Sequence, residues 1–275
     1  MRPRPILATL ATAALVSVAG ASHAADDVKL IVLKERGVGT SAQAQPFVDK
    51  FVAIAKQKLG WTSAKGTYFT ERKPAEAFVD AEKPQFGILS LASFLAMKEP
   101  RKLDTIGQVK VSRAGGQQYF LVSKSAGDQG VCKGAKLATD HAEDTKFIDR
   151  VVFNNTMKLA DFKLDATKRP LQGLKAVIKG EAQCALIDDA QLAELANMEG
   201  GKDLKTVWKS DTLPPLAVVA LPTATDKQKQ AFKGSLSSLC DGDGKTVCKE
   251  IGIESLKPAG DDAYAQVLAR YKKDK

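Results

Sequence analysis

Val28-Lys29-Leu30-Ile31-Val32-Leu33, followed by Gly37-Val38-Gly39-Thr40-Ser41, sets the fold class. Its alternation and β-branching predict a strand. From Gln45 onward Phe47, Phe51, Ile54, Ala55 and Leu59 recur at helical spacing, and Gly60 supplies a C-terminal cap, so the unit reads strand, loop, helix. The pattern continues downstream. Residues 66–69 read as a strand, 74–81 as a helix opened by proline, and 86–89 as a buried strand, with Ser90 capping a helix that carries Leu91, Phe94, Leu95 and Met97. Strands are expected at 106–111, 118–123, 136–139, 151–153 and 183–187, and a helix at 171–179. Strands alternating with helices imply an α/β protein with parallel or mixed sheets.

Working outward to the N-terminus, Arg2 and Arg4 precede an apolar run from Ile6 to Gly20, and Ser22-His23-Ala24 offers small residues at a cut site. This predicts a signal peptide over 1–24, cleaved near Ala24, and a periplasmic protein. The run is shorter than the roughly 20 residues needed to span a bilayer. Removing Arg2 and Arg4 leaves 39 basic against 32 acidic side chains, which suits an anionic ligand or a loose attraction to an anionic surface. The lysines are dispersed, with no basic block interleaved with aromatics, so nucleic acid is not expected as a partner.

Four cysteines make an even count for an oxidising compartment. Cys240 and Cys248 bracket Asp241-Gly242-Asp243-Gly244-Lys245-Thr246-Val247, read as a turn-forming loop that brings them together, and Cys132 and Cys184 then pair by elimination. Three connectivities exist on paper; this one keeps each bridge within one lobe as divided below. There is no Cys-x-x-Cys, and the mature chain keeps one histidine, His141, so no metal and no cofactor are expected. Asp241, Asp243, Gly244 and Glu250 match part of a calcium loop, but Leu239 stands at its first position.

Tyr119-Phe120-Leu121-Val122-Ser123-Lys124 and then Cys132-Lys133-Gly134-Ala135-Lys136-Leu137-Ala138-Thr139 resemble the crossing strand and second-lobe opening of type II periplasmic binding proteins. Residues 174–188 resemble that family's Val-x-x-Gly-x-Ala-Asp-Ala-Ala-x-x-Asp stretch, with Gln183 in place of the usual Asp. Residues 204–210, followed by Pro214-Pro215-Leu216-Ala217-Val218-Val219-Ala220, resemble the strand that returns the chain to the first lobe. In order, these stretches look most like the phosphate, phosphite and phosphonate-binding branch of ABC-transporter substrate-binding proteins.

The resemblance implies a two-lobed α/β fold, with lobe one over 26–112 plus 215–275, lobe two over 113–214, and two crossing segments. It also implies a ligand cleft between the lobes that closes by a hinge, a small-molecule ligand and a membrane permease as partner. The expected protein is a monomer. Ser90, Ser93, Thr70 and Thr139 sit at strand ends and helix starts, where backbone N–H groups and hydroxyls bind anions, although ordinary N-caps use the same residues. The branch's Ser/Thr-rich turn is replaced here by Thr139-Asp140-His141-Ala142-Glu143-Asp144. Glu35, Glu71, Asp140 and Asp188 would therefore suit an amine or zwitterion, or else stand as solvated or hinge carboxylates.

An acyl-transfer triad would need His141 as base, yet no Gly-x-Ser-x-Gly elbow exists, and His141 reads as a surface residue. Gly37-Val38-Gly39-Thr40 lacks the endings of dinucleotide and P-loop motifs. The expected function is binding of an oxyanion-bearing, phosphonate-like solute without chemistry. A sensor or interaction module of the same fold is the alternative, set apart by whether permease and ATPase genes or a histidine kinase lie alongside.

Overall fold

A computed structural model describes residues 27–37, 40–112 and 115–272. The predicted signal peptide, and Val38 and Gly39 of the glycine loop, lie outside them. The chain first lays down β1 (Asp27–Leu33), α1 (Ser41–Leu59), β2 (Ser63–Phe69), α2 (Arg72–Glu82), β3 (Phe86–Leu89), α3 (Leu91–Met97) and β4 (Asp104–Val111). It then crosses to β5 (Tyr119–Ser123), β6 (Lys136–Thr139), α4 (Thr145–Phe147), β7 (Lys163–Ala166), α5 (Gln172–Ile178), β8 (Cys184–Asp188), α6 (Asp189–Glu194) and β9 (Lys205–Lys209). After a second crossing come β10 (Leu216–Ala220), α7 (Asp226–Ser235), α8 (Gly244–Glu250), β11 (Ile253–Pro258) and α9 (Ala265–Lys272).

Two mixed sheets result. The first runs β11-β4-β10-β3-β1-β2, and the second β7-β6-β8-β5-β9. In the first, β1 is parallel to β2 and β3, while β10 runs antiparallel to β3 and β4. In the second, β6 is parallel to β7 and β8, while β5 runs antiparallel to β8 and β9.

Local chemistry explains the elements. Thr40 accepts from Gln43 N at 3.2 Å and Gln43 accepts from Thr40 N at 2.9 Å, a reciprocal cap that starts α1, and Gly60 ends the helix at φ +65°, a conformation costly for other residues. The buried stripe of α1 is Val48, Phe51, Val52 and Ala55, whereas Phe47, expected inside, is 45 % exposed. β3, β5, β8 and β10 are buried along their whole length, as strands covered on both faces must be.

Two expectations fail. Residues 151–153 are not a strand: Ile148–Val152 forms a wide helical turn continuing α4, which Asp144 opens by accepting from Phe147 N. Phe147, Ile148, Val151, Val152 and Phe153 are buried while Asp149 and Arg150 between them are not, which is helical spacing, whereas the three apolar residues 151–153 read alone have no period to distinguish helix from strand. The segment between Cys240 and Cys248 is not all loop either, since α8 begins at Gly244 and carries Cys248. Both disulfides form as expected, Cys132–Cys184 and Cys240–Cys248. Cys132 and Cys184 are fully buried, tying β8 to the turn before β6.

The C-terminal segment holds the return crossing and touches both lobes. The Tyr264 hydroxyl donates toward the Pro215 and Leu216 carbonyls at 3.3 and 3.1 Å, and its ring packs on Phe94. Farther along α9, the Tyr271 carbonyl accepts from Arg150, the Lys146 ammonium sits 4.3 Å from the Tyr271 ring, and Lys272 pairs with Glu99 at 2.6 Å.

Candidate functional site

Parallel pairing brings the ends of β1, β2 and β3 to one edge of the first sheet, so Lys34-Glu35-Arg36, Thr70-Glu71-Arg72 and Ser90 emerge side by side. β6 and β8 likewise deliver Asp140-His141 and Asp188 to one edge of the second, beside the start of β5 at Tyr119. Loops leaving the carboxyl ends of strands are where such sheets place ligands. Between the two edges lies a cavity of about 620 Å³, lined from both lobes and by crossing residues Gly115, Gly116, Gln117, Pro214 and Pro215. Gly115 has φ +73°, and a Cβ there would meet Asp188 Oδ2 at 2.3 Å, so the crossing passes only as glycine.

The lining is rich in both signs of charge, with Lys34, Arg36, Arg72, Lys73 and Lys168 against Glu35, Glu71, Glu76, Asp140, Glu143 and Asp144. Arg72 Nε and Nη2 donate to Glu35 Oε2 at 3.1 and 2.7 Å, and Nη2 also reaches Asp144 Oδ2 at 2.6 Å. Burial, the largest single influence on Arg72, works against its charge, but Glu35 and Asp144 outweigh it and hold the guanidinium above its ordinary pKa. Two more ion pairs span the cleft: Arg36 to Glu143 at 2.8 Å and Lys34 to Asp188 at 3.7 Å. All three run from a cation on the first lobe to a carboxylate on the second.

Lys34 is buried, and its ammonium makes one long contact to the Glu35 carbonyl at 3.5 Å besides the Asp188 pair. The ammonium thus has donor capacity beyond these two contacts, at the wall of the cavity, where an acceptor would complete it. Asp188 caps α6 by accepting from Gln191 N at 2.9 Å, and Gln191 Nε2 donates to Asp140 Oδ1 at 3.0 Å. Asp140 Oδ2 and His141 Nε2 are buried and make no hydrogen bond within the described residues. Tyr119 lines the cavity as a neutral phenol, its pKa pushed far up by burial and then by the charges of Asp188, Asp189, Asp140 and Asp144.

Of the residues singled out from sequence, Glu35, Glu71, Ser90 and Asp140 line the cavity. Ser93 lies beneath it, donating to Glu35 Oε2 at 2.6 Å and bonded to Ser90 Oγ at 2.8 Å. The Thr139 hydroxyl is spent on the Leu186 carbonyl at 3.0 Å and the His141 N–H at 3.2 Å. Thr70 offers only its carbonyl, to Arg36 N, and Asp188 sits behind the wall, against Lys34. His141, read as a surface residue, is instead buried edge-on to Tyr119, with ring centroids 5.2 Å apart. Lys34, Arg36, Arg72, Gln117 and Tyr119 were missed; Lys34 and Arg72 each stand within three residues of a strand's end, the signal that would have found them.

Residues 133–264 match the family model described as ABC transporter, phosphonate, periplasmic substrate-binding protein. No curated protein sequence matches the chain. Among solved structures, a binding-protein component of an ABC phosphonate transporter from Pseudomonas aeruginosa aligns at TM-score 0.66 and 14% identity, over 89% of this chain and 85% of its own. A Prochlorococcus marinus protein in complex with methylphosphonate aligns at 0.63 and 9% identity, over 89% and 97%. A Xanthomonas citri protein bound to ATP aligns at 0.69 and 10% identity, over 90% and 97%. At such identities the structural likeness speaks to fold alone. The chain thus has the two-lobed α/β fold of periplasmic binding proteins, and its residues 133–264 are similar to the phosphonate-binding family of ABC-transporter substrate-binding components.

Proposed function

We propose that this protein captures a small oxyanion-bearing, phosphonate-like solute in the interlobe cleft and presents it, unaltered, to the permease of an ABC importer. The observation that carries the reading is the buried, under-used Lys34 ammonium at the junction of the two strand-end edges. An oxyanion there would accept from Lys34, with Ser90 on the same wall. The three ion pairs that span the cleft would hold the lobes closed around it. The proposed working form is a monomer without a nucleic-acid partner, exported and cleaved after Ala24, which N-terminal sequencing of periplasmic protein checks.

A thermal-shift screen of phosphate, phosphonates, sulfate, amino acids and small amines tests the ligand class. Ligand at one hundred times its dissociation constant adds about 2.7 kcal/mol to apparent stability. Phosphonates should raise the midpoint, and Lys34→Ala should abolish the rise. The acidic share of the lining and the unpaired Asp140 Oδ2 favour a second reading, an amine or zwitterion, and a response to amines alone would establish it. Turnover of any compound in the screen would refute binding without chemistry.

A further inference from the structure

A second cavity, of about 210 Å³, adjoins the first. It lies under the start of α1, with walls of Val32, Val48, Phe51, Tyr68, Ile88 and Val109, and the exposed Phe47 ring at its rim. Lys34 and Leu216 line both cavities, so the two meet along these two side chains. The orientation of Lys34 follows from its neighbours. A Cβ on Gly37, which lines only the apolar chamber, would meet Lys34 Cγ at 3.0 Å, and a Cβ on Gly116, which lines only the cleft, would meet Lys34 Nζ at 3.5 Å. The lysine thus lays its aliphatic stem along the chamber and turns its ammonium to the cleft, the division expected of an amphipathic side chain at an apolar–polar boundary. The chamber is apolar enough that burial alone pushes the Tyr68 phenol up to about 12.

Resting on the cleft reading above, we propose that the chamber receives an unbranched alkyl substituent of the ligand, whose oxyanion head meets the Lys34 ammonium in the cleft. The preferred solutes are then alkyl oxyanions with a tail, and not the smallest phosphonates. The space corresponds to about seven liquid waters, enough for a chain of a few carbons and too little for a long lipid tail. Walls that are mostly apolar, with the Tyr68 and Ser112 hydroxyls as the exceptions, reward methylenes and penalise polar tails.

Isothermal titration of the full mature chain with methyl-, ethyl-, propyl-, butyl- and hexylphosphonate tests this. Affinity should rise by about fourfold per methylene while the chamber fills. Hexylphosphonate should displace methylphosphonate at one-to-one stoichiometry. Ala44→Leu, which adds bulk at the chamber wall from a half-exposed helical position, should flatten the rise. A flat or falling series in protein that binds methylphosphonate would overturn the chamber and leave the cleft reading standing. So would a rise that persists in Ala44→Leu, or hexylphosphonate that binds without displacement. Failure of every member of the series to bind would overturn the cleft reading and the chamber with it.

Discussion

The two lobes solve the same packing problem differently. In the first, six strands are flanked by helices as long as α1, with 19 residues, and the Cys240–Cys248 bridge closes a loop of sequence separation 8 at the periphery, between the turn after α7 and α8. In the second, among the described residues, α4, α5 and α6 have 3, 7 and 6 residues, and the Cys132–Cys184 bridge, of separation 52, runs through the core. Short helices bury little apolar surface each and nucleate poorly alone. The lesson is that the second lobe leans on a covalent tie where the first leans on helix packing. The tryptophans separate the two experimentally, Trp61 packing on Phe86 and Phe232 in the first lobe and Trp208 on Phe153 in the second.

Urea unfolding of single-tryptophan variants would break or sharpen that contrast. The largest loss is expected for Cys132→Ala with Cys184→Ala, about 4 kcal/mol from the long loop released, read first by Trp208. Equal responses of Trp208 and Trp61 would show that the lobes do not differ in this way. Next comes Asp188→Asn, which keeps a capping oxygen for α6 but strips the buried Lys34 of its counter-charge; a loss of about 3 kcal/mol should reach both tryptophans, because the pair joins the lobes. Opening Cys240–Cys248 should cost about 2.5 kcal/mol, confined to Trp61. Smallest is Arg36→Gln: Glu143 is exposed, so the loss should stay under about 1 kcal/mol and vanish in 1 M salt.

Fold was legible wherever burial alternates or ends sharply. The strand at 86–89 and the strand at 136–139 match their predicted bounds because glycine, proline or charge punctuates them. β7 was missed since an edge strand with residues such as Lys163 and Asp165 half or fully exposed has no apolar signature, and the 148–152 turn was misread because Val151-Val152-Phe153 were read apart from Phe147 and Ile148, one helical turn earlier. At the site, sequence pointed to strand ends that border the cavity but favoured hydroxyls over the cations that line it. Ser93 and Thr139 are typical helix-start and strand-end residues whose oxygens turn inward, a choice made by tertiary packing and invisible to local pattern. The α1 stripe shifted by one position for the same reason: Phe47 and Val48 are both apolar, and only the neighbouring sheet decides which faces it.

The grip of the C-terminal helix on both halves of the molecule makes it a strain gauge. Tyr264 holds the return crossing, Tyr271 is held by Arg150 and Lys146, and Lys272 reaches Glu99, so one lobe cannot rotate on the other without shearing these bonds. A fluorophore placed on the exposed Gln266, which does not line the cavity, would convert that shear into an optical signal and make the protein a reagentless sensor for its own ligand.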